Sequence, residues 1–184
     1  MPSYQTDVLA HYHAHWQAQP VHLRSNRPSV QHIDSSFQVL EFAPSAQRDM
    51  WTYATCGMSS WRVEHPLELH LFSASQDRAL VDLLTTVAHY HQTEQALGLG
   101  HTVNFGLPWQ STSQCSYGLL SLPYLDGPTL EILHSGLRQV SCYWLVPITK
   151  AERDFKKEAG LEALETLFDQ QPLDYLAPLR PSTV

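Results

Sequence analysis

The chain has 184 residues, of which 43% are hydrophobic and 16% are charged, values typical of a globular protein large enough to bury a core. Its formal net charge of -7 excludes non-specific binding to nucleic acid, because phosphates require clustered Lys and Arg, and it would suit a basic protein partner instead. No apolar run approaches the roughly 20 residues that span a bilayer, so we predict neither a nucleic-acid partner nor a membrane.

The N-terminal third is predicted to begin with a helix and to continue with short strands. Ser3 can cap a helix from about residue 3 to 18. A Ser-Ser joint separates two β-type runs, which predicts a hairpin. Gly57 ends a third run and is expected to have a positive φ, and Met58 is expected to fill the core. The three runs lie at residues 30–34, 37–42 and 51–56.

A fourth strand is predicted at residues 67–72. Leu67, Leu69 and Leu71 alternate along it with Glu68 and His70. This period of two predicts one buried face and one face that is wet or covered differently.

The central segment has the strongest helical pattern, which predicts a helix from about residue 77 to 96, capped by Ser75 and ended by Gly98 and Gly100. Its apolar residues recur at helical spacing, so it should lie across the sheet. His91 falls on that apolar face, which favours a core histidine bonded to a backbone carbonyl. Further strands are predicted at residues 102–105, 117–122 and 140–146, with a polar surface loop at 108–114.

The C-terminal segment combines a strand stop with a helix start. Pro147 cannot donate a ladder hydrogen bond, so it is predicted to end its strand. Thr149 and Glu152 have the spacing of a capping box, and Gly160 is predicted to close the first helix. A second amphipathic helix should follow to about residue 168, and residues 178–184 are expected to be frayed.

These elements predict an α+β fold, an α/β sandwich. Neighbouring short strands favour hairpins, hence a central mixed, largely antiparallel β-sheet flanked by helices. We expect a single domain over residues 1–184, with a core at about 30–170 and an N-terminal helix at about 3–18.

Four short blocks occur in an order that is similar to the signature of the Suppressor of Fused (SUFU-like) domain family. They are Thr-Tyr-Ala-Thr-Cys-Gly-Met-Ser at 52–59, Leu-Glu-Leu-His-Leu at 67–71, Gly-Leu-Gly-His-Thr-Val at 98–103, and a strand ending in Pro with an E-x-x-F helix and a Gly at 147–160. The chain therefore resembles the short single-domain bacterial members of that family. The family-motif positions, structural or binding, are Tyr53, Gly57, Met58, Ser59, Gly100, His101, Pro147, Glu152, Phe155 and Gly160.

The resemblance implies a non-enzymatic protein-binding module. Animal members hold a transcription factor peptide between this kind of domain and a second domain, for which this chain is expected to have no room. Many short bacterial relatives are thought to be immunity proteins that neutralise a polymorphic toxin, and an acidic chain would suit a basic toxin domain. A regulatory scaffold that binds an endogenous protein is the alternative, because both functions need only a complementary surface.

Eleven histidines keep a metal-binding protein or an enzyme open as a further alternative. His11 and His15 share a helix face, and Asp7 lies one turn before His11. No H-E-x-x-H or G-x-S-x-G motif is present, so we predict no catalytic residue, metal site or cofactor. His101 is expected to order its loop by hydrogen bonds, with a partner contact as the other reading.

Aromatic side chains are the other candidates for a binding surface. Trp51 and Trp144 lie within predicted strands and are expected to be buried, whereas Trp109 is expected to be exposed. Trp61 and Tyr124 lie near strand ends or in loops. Residues 116–121, Ser-Tyr-Gly-Leu-Leu-Ser, look like a strand, and an edge strand could accept a partner by β-augmentation.

The cysteines and the N-terminus indicate a cytoplasmic protein. Cys56, Cys115 and Cys142 are widely spaced, without a C-x-x-C motif, so each is predicted to be a small buried hydrophobe in a reducing compartment. The first residues lack the basic and apolar regions of a signal peptide, so none is expected.

Overall fold

A computed structural model describes residues 3–27, 33–59 and 64–184. Its helices are α1 (Tyr4–Trp16), α2 (Ala79–Thr93), α3 (Lys150–Ala159) and α4 (Leu161–Gln170). Its strands are β1 (Val21–Leu23), β2 (Gln38–Phe42), β3 (Trp51–Cys56), β4 (Leu67–Ser73), β5 (Thr102–Asn104), β6 (Cys115–Ser121), β7 (Ile132–Ser135) and β8 (Arg138–Thr149). None of the helices in these ranges is long and apolar enough to cross a membrane.

The strands form one mixed sheet in the order β1-β2-β3-β4-β8-β6-β5. Strands β4 and β8 pair in parallel, and the other pairs are antiparallel. β8 is long enough to pair twice along one side: its first residues pair with β7 and its last with β6. The predicted mixed, largely antiparallel sheet of an α+β fold is confirmed.

Helices cover both faces of the sheet. The apolar face of α2 packs on alternate residues of the central strands, among them Tyr53, Leu69 and Leu145. On the opposite face, α1 packs on residues such as Leu40 and Cys142. Helix α4 packs on the same face through Leu164, near the end of β8. The layers are therefore helix, sheet and helix.

The predicted N-terminal caps of two helices are confirmed. The Ser3 hydroxyl accepts from the Thr6 amide and caps α1. Thr149 and Glu152 form the complete capping box of α3. α2 is different: Ser75 does not cap it, and instead the helix begins at Ala79, whose amide donates to the side chain of Asp77.

Strand β4 is buried on both faces, so of the two predicted alternatives for its polar face, wet or covered differently, the second is the correct one. Glu68 and His70 are both 0% exposed, since α1 covers them. Tyr4 of α1 bonds to Glu68, and the ring of Trp16 lies edge-on to His70 with centroids 5.7 Å apart. The polar residues of this alternating pattern therefore face the second hydrophobic core, under α1, and not solvent.

Pro147 does not end its strand, because β8 continues to Thr149. Gly118 of β6 lies opposite Pro147, while β4 is last paired at Trp144 of β8. The carbonyl of Pro147 accepts from Arg180 and not from a strand. Pro147 thus lies where a missing backbone donor breaks no ladder bond.

Two short strands were not predicted. β1 has three residues, two of them exposed, and β7 has four, so neither shows a burial period. β1 pairs with β2 in place of the predicted run at 30–34. Of that run, residues 30–32 lie outside the described residues, and Asp34 precedes a turn.

Two surface predictions are wrong. Residues 178–184 are not frayed, since Arg180 is 5% exposed and bonds to Glu152. Trp109 is 3% exposed and packs in the core beside α2. Trp144 is buried as expected and Trp51 is half-buried, while Trp61 lies outside the described residues.

Candidate functional site

The first family block surrounds the buried carboxylate of Glu68. Its Oε1 accepts from the amides of Gly57 and Met58 at 3.0 and 2.9 Å and from the Tyr4 hydroxyl at 2.8 Å. Its Oε2 lies 2.5 Å from the Thr55 hydroxyl. Gly57 has the predicted positive φ, 99°, and this turn aims both amides at the carboxylate.

Burial raises the pKa of Glu68 from 4.5 to about 7, although the hydrogen bonds from Thr55, Tyr4 and the turn amides oppose the shift. The carboxyl group ties β3, β4 and α1 together at one point. We interpret the residues at 52–59, together with Glu68, as a structural hydrogen-bond cluster.

Ser59 and His91 form a second buried polar contact beside the Glu68 cluster. The Leu97 amide donates to Nδ1 of His91, so the neutral ring carries its proton on Nε2. That nitrogen lies 3.1 Å from the Ser59 hydroxyl oxygen, which also accepts from the Leu67 amide. His91 is the expected core histidine, but this bond is with a backbone amide and not with a carbonyl.

The last family block holds the C-terminal residues. Arg180 donates to both oxygens of Glu152, at 2.7 and 2.8 Å, and also to the Pro147 carbonyl. Burial alone would raise the pKa of Glu152, but Arg180 and the Thr149 amide lower it below its ordinary value. Thr183 adds two further donors. Arg180 was not singled out from the sequence because it lies 28 residues from its partner.

The remaining motif positions are spread around these two clusters. Tyr53 is buried and accepts from the Asp77 amide, and the Gly100 carbonyl accepts from the side chain of Lys156. His101 is exposed and bonds to Gly98 and Leu120 through its backbone. Phe155 is partly buried beside α4, and the exposed Gly160 closes α3 at a φ of 96°.

The histidines of α1 do not assemble a metal site. His11 Nε2 lies 3.0 Å from the Leu130 carbonyl, and His15 bonds to the backbone of His11. The carboxylate of Asp7 accepts from Ser135. No group of three or more metal-ligating side chains occurs among residues 3–27, 33–59 and 64–184.

Strand β5 lies at one end of the sheet that the described residues form, and it offers an unpaired backbone side to another molecule. The backbones of His101 and Phe105 bond to β6, so the alternate residues Thr102 and Asn104 direct their amides and carbonyls away from it. No described strand pairs with that side. The segment 116–121, suggested as an edge, is the interior strand β6.

An apolar groove of about 270 Å³ runs beside this edge, on the face that α2 covers. Leu83, Val87 and Tyr90 of α2 form one wall, and β5 with the loop after it forms the other. The buried Trp109 lies in the loop wall, and Leu107 beside it is 63% exposed. An extended peptide on the edge could direct alternate side chains into the groove.

Comparisons with known proteins agree with the motif blocks. Residues 34–181 match the family model described as suppressor of fused protein (SUFU). The chain belongs to the SUFU family. A crystal structure of a SUFU homolog from Neisseria gonorrhoeae is similar over 98% of this chain and 97% of that chain, with 30% sequence identity and a TM-score of 0.85. The predicted resemblance is confirmed.

Two further structures share the SUFU fold at 14% identity. A chain of the Sufu–Fu complex matches over 99% of this chain and 93% of that chain, with a TM-score of 0.73. Drosophila Suppressor of Fused matches over 99% of this chain but 51% of its own length, with a TM-score of 0.70. The chain thus spans about half of the Drosophila protein. A search of curated protein sequences gives no significant match.

Proposed function

We propose that this SUFU-family chain is a non-enzymatic protein-binding module that takes an extended partner segment onto the edge of β5. The open backbone of Thr102 and Asn104 beside the apolar groove is the observation that carries the proposal. The Sufu–Fu complex, which has the same fold, gives a precedent for protein binding.

We further propose that the partner is a toxin domain, so that the chain is an immunity protein acting in the cytoplasm by direct binding. A relative of similar length in a bacterium supports a bacterial role. The net charge of -7 favours a basic partner, since opposite charges speed association and select against acidic proteins.

The test is affinity purification from the native host with three forms of the chain: wild type, Asn104→Pro and Asn104→Ala. Proline at 104 removes an outward amide and leaves the bonds of β5 to β6 intact. Alanine keeps the amide and loses only the side-chain bond to Gly106, so it is the matched control. A partner of the β5 edge co-elutes with wild type and with Asn104→Ala but not with Asn104→Pro.

The identity of the captured protein separates the alternatives. A toxin domain encoded beside the chain supports immunity, whereas a housekeeping protein supports a regulatory scaffold. Equal recovery with all three forms contradicts binding at the β5 edge.

A further inference from the structure

A second groove lies on the opposite face of the sheet from the first, between α4 and the turn at residues 122–127. Its volume is about 200 Å³, below the roughly 300–1,000 Å³ of small-molecule pockets. Its floor is apolar and includes Leu119, Trp144, Val146, Phe168, Leu173 and Tyr175. Tyr124 and Leu125, which are 60% and 47% exposed, form the rim.

Helix α4 places carboxylates in and next to this groove: Glu165 and Asp169 line it, and Glu162 lines the adjoining depression. Glu162, Glu165 and Asp169 lie at positions i, i+3 and i+7, so they share one helix face, and α4 contains no Lys or Arg. Glu165 accepts from two neutral donors, the hydroxyls of Ser121 and Tyr124, at 3.3 and 3.4 Å. Glu165 and Asp169 therefore present negative charge directly beside an apolar floor, and Glu162 extends that charge along the helix. We call these three carboxylates the α4 stripe.

The ion pairs of the described residues lie away from these carboxylates. Ion pairs among the described residues are Arg27–Asp82, Arg48–Asp126, Lys150–Asp154, Arg153–Asp154 and Arg180–Glu152, besides a contact of His70 with Asp126. None includes the α4 stripe. Burial, followed by Glu165 and Asp169, raises the pKa of Tyr124, as expected for a phenol in a negative field.

We propose that this groove is a docking site for a partner protein segment that carries one large apolar side chain flanked by Arg or Lys. The apolar side chain packs on the floor of the groove, and the flanking cations form ion pairs with the carboxylates of the α4 stripe. The groove is too small for more than one such anchor. This site is separate from the β5 edge and does not depend on the function proposed there.

A short synthetic peptide of arginine and serine with one central tryptophan is the probe, and its affinity is measured by fluorescence anisotropy in low salt and at physiological ionic strength. One control peptide has glutamate for arginine, and another has serine for tryptophan. Saturable binding of the probe is expected, weakened by about tenfold or more in each control peptide and reduced by salt.

Charge-matched variants locate the site. The double variant Glu162→Lys with Asp169→Lys should weaken binding by about tenfold or more, because both carboxylates are exposed on the stripe. The control double variant Glu94→Lys with Glu158→Lys makes the same change in net charge at exposed positions outside the groove and should retain most of the affinity. Leu125→Ser should also weaken binding.

Three results overturn the proposal. The first is no saturable binding of the probe to wild type at low salt, and the second is equal weakening by the two double variants, which would indicate general attraction only. The third is a wild-type dimer in sedimentation that Leu125→Ser abolishes, which would assign the groove to a second copy of the chain.

Discussion

At the scale of single residues, Glu68 shows how the family block works. Three donors converge on Oε1, and Oε2 lies 2.5 Å from the Thr55 hydroxyl. A proton on Oε2 can be donated to the Thr55 hydroxyl, which accounts for how a fully buried carboxyl is tolerated at this position.

The titration of Glu68 predicts a pH dependence of stability. Because burial raises its pKa from 4.5 to about 7, the folded chain binds more protons than the unfolded chain between those values. The free energy of unfolding should therefore fall as pH rises from about 4.5 to 7 and be flat outside that window for this group. Glu68→Gln, which mimics the protonated form, should fold and lose this dependence in urea titrations at pH 5 and 7.5. An unchanged slope in Glu68→Gln would contradict the assignment.

Replacing Gly57, the glycine of the turn after β3, is predicted to destabilise the fold. A side chain is strained at its φ of 99°, and an added Cβ would lie 3.3 Å from the Cα of Phe37. Gly57→Ala should lower the free energy of unfolding by about 1–3 kcal/mol. Gly98→Ala is the control, because open space surrounds that position, and it should change stability by less than about 0.5 kcal/mol. Equal effects in urea denaturation would refute the role of the turn.

At the scale of elements, the C-terminal residues 180–183 form hydrogen bonds that connect α3 to the end of β8. Arg180 reaches the N-terminal turn of α3 through Glu152 and the end of β8 through Pro147. Both partners of the ion pair are at most 5% exposed, so breaking it leaves a buried charge.

Arg180→Met should therefore destabilise the chain by about 3–5 kcal/mol, because Glu152 loses its counter-charge. The double variant Arg180→Met with Glu152→Gln should recover part of that loss, since no unpaired charge remains. Thermal and urea unfolding measure both. If Arg180→Met alone were as stable as wild type, the C-terminal residues would not hold α3.

Features encoded within a few residues could be predicted from the sequence, and long-range features could not. The capping box of Thr149 and Glu152 was predicted because both partners lie within one turn. The burial of Trp109 was not predicted, because the residues that follow it in sequence are polar and its packing against α2 is a long-range contact. Similarly, the place of β5 at the sheet edge depends on the strand order, which no local pattern reveals.

At the scale of the whole molecule, one face of the sheet is covered by α2 and the other by α1 and α4. Among the described strands, the end strands β1 and β5 each have a side with no partner strand, and the apolar groove lies beside β5. An open edge invites pairing with another chain. The net charge of -7 favours basic partners over acidic ones.

If the partner is a toxin, protection of cells should require an intact backbone donor at the edge of β5. Co-expression of wild type or Asn104→Ala should restore growth of cells that express the neighbouring toxin domain, because both retain the outward amide at 104. Asn104→Pro should protect at least about tenfold less well in a dilution assay, given the loss of one buried backbone bond in the complex. Full protection by Asn104→Pro would exclude this mode of neutralisation.

Amide hydrogen exchange, measured with and without the captured partner, tests the central claim most directly. The Thr102 and Asn104 amides should exchange rapidly in the free chain, because they point away from β6, and should become protected in the complex. Protection confined to other segments, with Thr102 and Asn104 still exchanging rapidly, would contradict binding at the β5 edge.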